Sequence, residues 1–121
     1  MTAEDFEQYL RQSGLEVETI TGADGGEYIV VRSLAVPTGG LKGQSCDVAI
    51  RREVSVPYVV PAAIHTYPAL VPMGGEPLAT SPSPIGDGWQ YWSRRFERPA
   101  TPQSLWAHVL TILCDDRWST N

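Results

Sequence analysis

Val56-Pro57-Tyr58-Val59-Val60-Pro61-Ala62-Ala63-Ile64-His65-Thr66-Tyr67-Pro68 sets three prolines around a β-prone run. Proline has no N–H to give to a sheet ladder, so strand residues must lie between the prolines or on an edge. The spacing predicts a short fourth strand near residues 62–66. Everything upstream then reads as what must pair with it, and everything downstream as what must return to it.

Upstream, Thr2 followed by Asp5 is a capping-box start, and Phe6, Tyr9 and Leu10 recur at helical spacing before Gly14. This predicts an amphipathic helix over residues 3–13. Leu15, Val17 and Thr19 alternate with Glu16, Glu18 and Ile20, a strand with one wetter face. The glycine-rich turn at residues 22–26 leads into a second strand over residues 28–36, which makes a hairpin. After Pro37-Thr38-Gly39-Gly40, a third strand is expected over residues 46–56, with Cys46, Val48 and Ile50 on one face.

Downstream, residues 68–88 are rich in proline and glycine and read as one long irregular loop. Trp89-Gln90-Tyr91-Trp92-Ser93-Arg94-Arg95-Phe96 reads as a short strand or an ordered loop. Thr101-Pro102 is an N-cap followed by proline at the first helical position. Leu105, Val109, Ile112 and Leu113 then share one face, which predicts a helix over residues 102–114. Consecutive antiparallel strands between terminal helices make an α+β domain: an N-terminal helix, a four-stranded antiparallel meander, a long proline-rich loop and a C-terminal helix.

At 121 residues the chain is read as one domain, residues 1–121. Its net charge of −5 disfavours a phosphate backbone as partner, although Arg94, Arg95 and Arg98 make a local basic spot. No stretch is apolar for the roughly 18–20 residues that a membrane span needs. The acidic start, Met1 to Asp5, is unlike a signal peptide, so a cytoplasmic location is expected. Cys46, Cys114, His65 and His108 lack the close pairs of a zinc site, and no metal or cofactor is expected.

The order of these segments resembles the ubiquitin-conjugating (UBC) superfamily. Val56 to Ala62 stands where that family has its proline-bracketed segment, and Pro99-Ala100-Thr101-Pro102 precedes the second helix as the family's later turn does. Trp89-Gln90-Tyr91-Trp92-Ser93-Arg94 is similar to the tryptophan-serine cluster of a bacterial branch, the prokaryotic family E. The resemblance spans roughly residues 3–114. It implies a UBC-like fold, a ubiquitin-like protein and an adenylating (activating) enzyme as partners, and a bacterial setting associated with phage defence. The departures are specific. Tyr67-Pro68 stands near the family's His-Pro-Asn motif without its histidine or asparagine, and the one asparagine is Asn121. No cysteine lies between Pro57 and Trp106, so neither Cys46 nor Cys114 matches the catalytic position. The resemblance therefore implies a chain that does not perform ordinary thioester chemistry.

Ser93 lies roughly where the missing cysteine would be. A serine can hold an acyl group as an oxyester, but a hydroxyl needs a base or a primed acyl donor. His65 and Asp87 are the candidate bases, and Arg94 or Arg95 the candidate oxyanion donors. Against this stands the plainer reading that Ser93 is structural. Ser81 and Ser83, in a Ser-Pro-Ser-Pro run, read as turn residues, and Cys46 as a buried small residue. Trp89, Tyr91, Trp92 and Arg95 are candidate binding residues, because Trp, Tyr and Arg dominate interface hot spots. The competing reading has the aromatics filling the core.

Three functions remain open. The first is a conjugating-enzyme-like acyl carrier using Ser93. The second is a non-catalytic adaptor that binds the ubiquitin-like protein and partners an activating enzyme. The third is a structural protein on a similar frame, unrelated to ubiquitin.

Overall fold

The computed structural model describes residues 2–52, 63–94, 101–115 and 117–118. The first helix, α1 (Ala3–Gln12), starts from a capping box: Thr2 Oγ1 accepts from the Asp5 amide and Asp5 accepts from the Thr2 amide. The last helix, α2 (Pro102–Leu113), repeats the device with Thr101 and Ser104, with proline in the first turn.

Between them run β1 (Val17–Thr21), β2 (Glu27–Ala35), β3 (Ser45–Arg51), β4 (Ala63–Tyr67), β5 (Thr80–Pro82) and β6 (Gln90–Ser93). They form one antiparallel sheet in the order β1-β2-β3-β4-β6-β5. The α+β frame with a helix at each end follows the sequence reading, but among the described residues the sheet has six strands where a four-stranded meander was expected. Residues 68–88, read as strandless, supply β5 and a bridge between Gly74 and Thr80. β5 is an edge strand, the position at which a sheet tolerates Pro82. The expected extension of β3 to Val56, the proline bracket Pro57–Pro61, and Arg95 to Ala100 lie outside the described residues.

The reason for the additional order is Gln90, which is fully buried. Its side-chain amide donates to the Val71 carbonyl (2.7 Å) and its Oε1 accepts from the Leu70 amide (2.9 Å). Thr80 Oγ1 donates to the Pro72 carbonyl (2.7 Å). Two polar side chains thus satisfy backbone groups that an irregular segment would otherwise leave unpaired.

Strand alternation sorts the core into two layers. Phe6, Leu10, Leu105, Val109 and Leu113 of the helices pack on Ile29, Val31, Val48, Ile50, Ile64 and Trp92 of the sheet. Both helices therefore lie on one face. A bulge in β2 between Val31 and Leu34 keeps both residues in this layer although they are three apart; Ser33 takes φ 53° there, and its amide donates to Asp47 Oδ1. On the other face Tyr28, Val30 and Ala49 are covered by Ile85, which reaches over from the segment between β5 and β6. Ala23 N–H donates to the Ile85 carbonyl at 2.8 Å, which fixes that strap at one end.

Candidate functional site

β4 and β6 are neighbours, with Ala63 opposite Ser93, Ile64 opposite Trp92 and His65 opposite Tyr91. The segment after the proline bracket and the tryptophan-serine segment therefore share one antiparallel ladder. Ser93 closes β6 and is exposed. It lines a cleft of about 360 Å³ together with Glu76, Pro77, Ala79, Arg94 and Arg117.

Ser93 and Arg94 are contiguous there, but Arg94 is not a free donor. Its guanidinium donates to the carbonyls of Ser93 (2.6 Å) and Leu78 (2.9 Å), with a longer approach to Ala79 (3.5 Å). It also sits over the rings of Trp92 and Trp118, at 5.5 and 5.1 Å. Burial pushes its ionisation below the usual arginine range, with Glu76 acting in the opposite direction. Arg94 clasps β5 to β6 and shapes the cleft wall.

Neither candidate base is hydrogen-bonded to Ser93 among the described residues. His65 is buried, and its Nδ1 is engaged by Ser83 Oγ at 2.8 Å. In the ladder it is a diagonal neighbour of Ser93, a separation of roughly 7–8 Å. Burial pushes its pKa down to about 4, so it is neutral at pH 7. Asp87 is exposed in the turn before β6, and the length of that strand, roughly 3.3 Å per residue, separates it from Ser93. Among the described residues no base is hydrogen-bonded to the Ser93 hydroxyl.

The candidate binding aromatics divide by face. Trp92 is fully buried, donates from Nε1 to Thr66 Oγ1 (3.0 Å) and meets Trp118 edge-on, so it has no surface to offer a partner. Trp106 and Trp118 are buried in the same core. Trp89 and Tyr91 are half-buried on the opposite face, Trp89 against Tyr67 and Tyr91 against His65. Arg95 lies outside the described residues.

Neither cysteine is among the residues that line the cleft. Cys46 is buried in β3, and burial followed by the nearby Asp47 pushes its thiol up to about 12. Cys114 caps α2. Ser83, read as a turn residue, is buried and accepts from the Ile85 amide at 3.1 Å while engaging His65. Among the described residues no group of three or more His, Cys, Asp or Glu is placed to hold a metal, and no helix is long and apolar enough to cross a membrane.

Sequence reasoning missed Glu76, Pro77, Ala79 and above all Arg117. Arg117 is exposed, grips Asp115 with its Nε and Nη2 at 2.7–3.1 Å, and stacks over Trp118 at 5.2 Å. The signal was an arginine beside a tryptophan in the tail, which carries no spacing rule.

No curated protein and no solved structure matches the chain significantly. The model of prokaryotic E2 family E matches residues 2–114, which covers both helices, all six strands and every wall of the cleft except Arg117. The chain belongs to prokaryotic E2 family E.

Proposed function

We propose that the chain is the conjugating-enzyme-like component of a bacterial ubiquitin-like modification pathway, acting as a receptor without a catalytic cysteine. In this reading the cleft at Ser93 holds the free-acid C-terminal tail of a ubiquitin-like protein, before its adenylating enzyme activates it. Family membership supports the pathway. The observation that carries the receptor role is the make-up of the cleft: an exposed serine that shares its lining with the exposed Arg117, with no thiol among the lining residues and no base in hydrogen-bonding contact with the serine among the described residues. Such a site suits binding a carboxylate-ended chain better than activating a nucleophile.

A second reading is favoured by the exposure of Ser93 in that cleft. Ser93 Oγ attacks the carbonyl of the tail's acyl adenylate. An oxyester forms, the acyl–phosphate bond breaks, AMP leaves, and the hydroxyl proton passes to solvent or to the departing phosphate. This route needs no base from the protein, because the adenylate is already primed.

Mixing the chain with the activating enzyme, the ubiquitin-like protein and ATP separates the readings. The receptor role gives a complex with no covalent adduct, and Ser93→Ala still binds. The oxyester role gives an adduct that survives thiol reductant, falls to mild hydroxide and vanishes in Ser93→Ala. Absence of binding to either partner would leave only a structural role.

A further inference from the structure

The two guanidinium groups of the cleft are not equivalent. Arg94 spends its donors on the Ser93, Leu78 and Ala79 carbonyls and lies over two indoles. Turning it to a ligand would give up these carbonyl contacts. Arg117 is different. Its side chain is 67% exposed, and it pairs with Asp115, two positions away. Nε and Nη2 serve that carboxylate; the Nη1 donors make no bond to any described residue. A local, solvent-exposed pair of this kind is readily exchanged for another carboxylate.

Trp118 makes the exchange possible without loss of position. It is buried, its Nε1 donates to the Ile112 carbonyl, and the Arg117 guanidinium lies over its ring. The cation is thus held at the cleft by stacking as well as by Asp115. Glu76, another lining residue of the cleft, bears a charge that repels an anion, so a ligand's carboxylate is directed to the Arg117 side. Arg117 and Trp118 lie beyond the residues that match the family model.

We propose that Arg117 is the anion-binding residue of the Ser93 cleft, and that it takes the free C-terminal carboxylate of a peptide tail in exchange for Asp115. The proposal deepens the receptor reading and rests on it for the identity of the tail. It makes the cleft selective for a free acid over an esterified or amidated end.

The probe is N-acetyl-glycylglycine and its C-terminal amide, titrated into the full chain while the amide signals of Ser93 and Arg117 and the Trp118 indole signal are followed by NMR. The expected result is that the acid binds roughly ten-fold more tightly than the amide, as befits one charge-assisted hydrogen-bonded pair. Arg117→Gln should erase that difference. Asp115→Asn, which removes the competing charge but keeps an acceptor for the Arg117 amide, should strengthen acid binding. Equal response to acid and amide, a difference that survives Arg117→Gln, or weaker acid binding in Asp115→Asn would overturn the proposal. A second arm uses the pathway's ubiquitin-like protein with a free and an amidated C-terminus. If it binds equally in both forms and to Arg117→Gln, the Arg117 proposal fails and the receptor reading stands. If it does not bind while the dipeptide acid does, the receptor reading fails and the Arg117 site stands.

Discussion

Ser83 Oγ lies 2.8 Å from His65 Nδ1, and this contact holds the segment between β5 and β6 against the sheet face that the helices leave open. The Ile85 amide already occupies one lone pair of Ser83 Oγ. The arrangement that leaves no buried hydroxyl proton unpaired has Oγ donating to Nδ1, which places the imidazole proton on Nε2. Tyr28 and Tyr91 meet the His65 ring edge-on from either side, at 5.1 and 5.4 Å. A histidine read from sequence as a candidate base is a neutral buried bracket.

Stability should therefore fall with acid through this one residue. The folded pKa of His65 is lowered from 6.5 to about 4, by burial first. Between those values the unfolded chain binds a proton that the folded chain refuses, so stability rises with pH across the window. The contribution is intact above about pH 6.5 and is lost progressively toward pH 4, with a ceiling on the order of 3 kcal/mol. Urea unfolding at pH 7 and pH 4.5 measures it. His65→Gln should be less stable at pH 7 yet lose less on acidification than the wild type; an equal loss in both would show that the sensitivity resides elsewhere.

The frame was legible because its signals are local. Thr2 with Asp5 and Thr101 with Pro102 announce helix starts, and period-two alternation announces β1 to β3. What the sequence hid are relationships made only on folding. Gln90 looks like any polar residue in an aromatic run, yet it is buried and organises residues 70–73 from nearly twenty positions away. β5 is three residues long and contains a proline, so no periodicity could reveal it. Of the candidate site, Ser93 and Arg94 were readable from the Trp-Ser-Arg cluster. The separation of Ser93 from Asp87 by a strand, and the arrival of Arg117 from the tail, depend on tertiary placement alone.

The thiols should differ sharply in reactivity. Cys46 is buried and its pKa is pushed up to about 12, so almost no thiolate exists at pH 8. Cys114 is only partly covered. Iodoacetamide at pH 8 should modify one cysteine in the native protein, Cys114, and both in denaturant, as peptide mass mapping reads directly. Rapid native labelling of Cys46 would contradict its place in the core.

Gly39 joins the loop after β2 to the end of α2. Its φ is +86°, and a Cβ built on it would strike the Cys114 carbonyl. Gly39→Ala therefore meets both backbone strain and a collision with backbone. A cost of roughly 2 kcal/mol or more is expected, which is about 8 °C in Tm for a domain of this size. Gly43→Ala is the control: it shares the positive φ, but open space surrounds it. The excess of the Gly39 effect over the Gly43 effect measures the contact with α2, and equal effects would mean that the loop moves freely from the helix.

Trp92 and Trp89 test whether the tryptophan-serine cluster acts through its core or its surface. Trp92 is fully buried and bonded to Thr66, so Trp92→Ala opens a cavity and should cost about 3–5 kcal/mol, enough to unfold a marginal domain. Trp92→Phe keeps most of the volume but leaves Thr66 Oγ1 without its donor, at about 1–3 kcal/mol. Trp89 is half-buried, so Trp89→Ala should be the milder change and leave a folded protein. Circular dichroism melts rank the three variants, and binding to the ubiquitin-like protein is then measured on those that remain folded. Folded Trp92→Phe should bind like the wild type, because no atom of Trp92 is accessible to a partner. A selective loss of binding in Trp92→Phe at full native signal would mean that the groove beside Ser93 is set by this indole, and would move the candidate binding surface from the exposed cleft to the sheet beneath it.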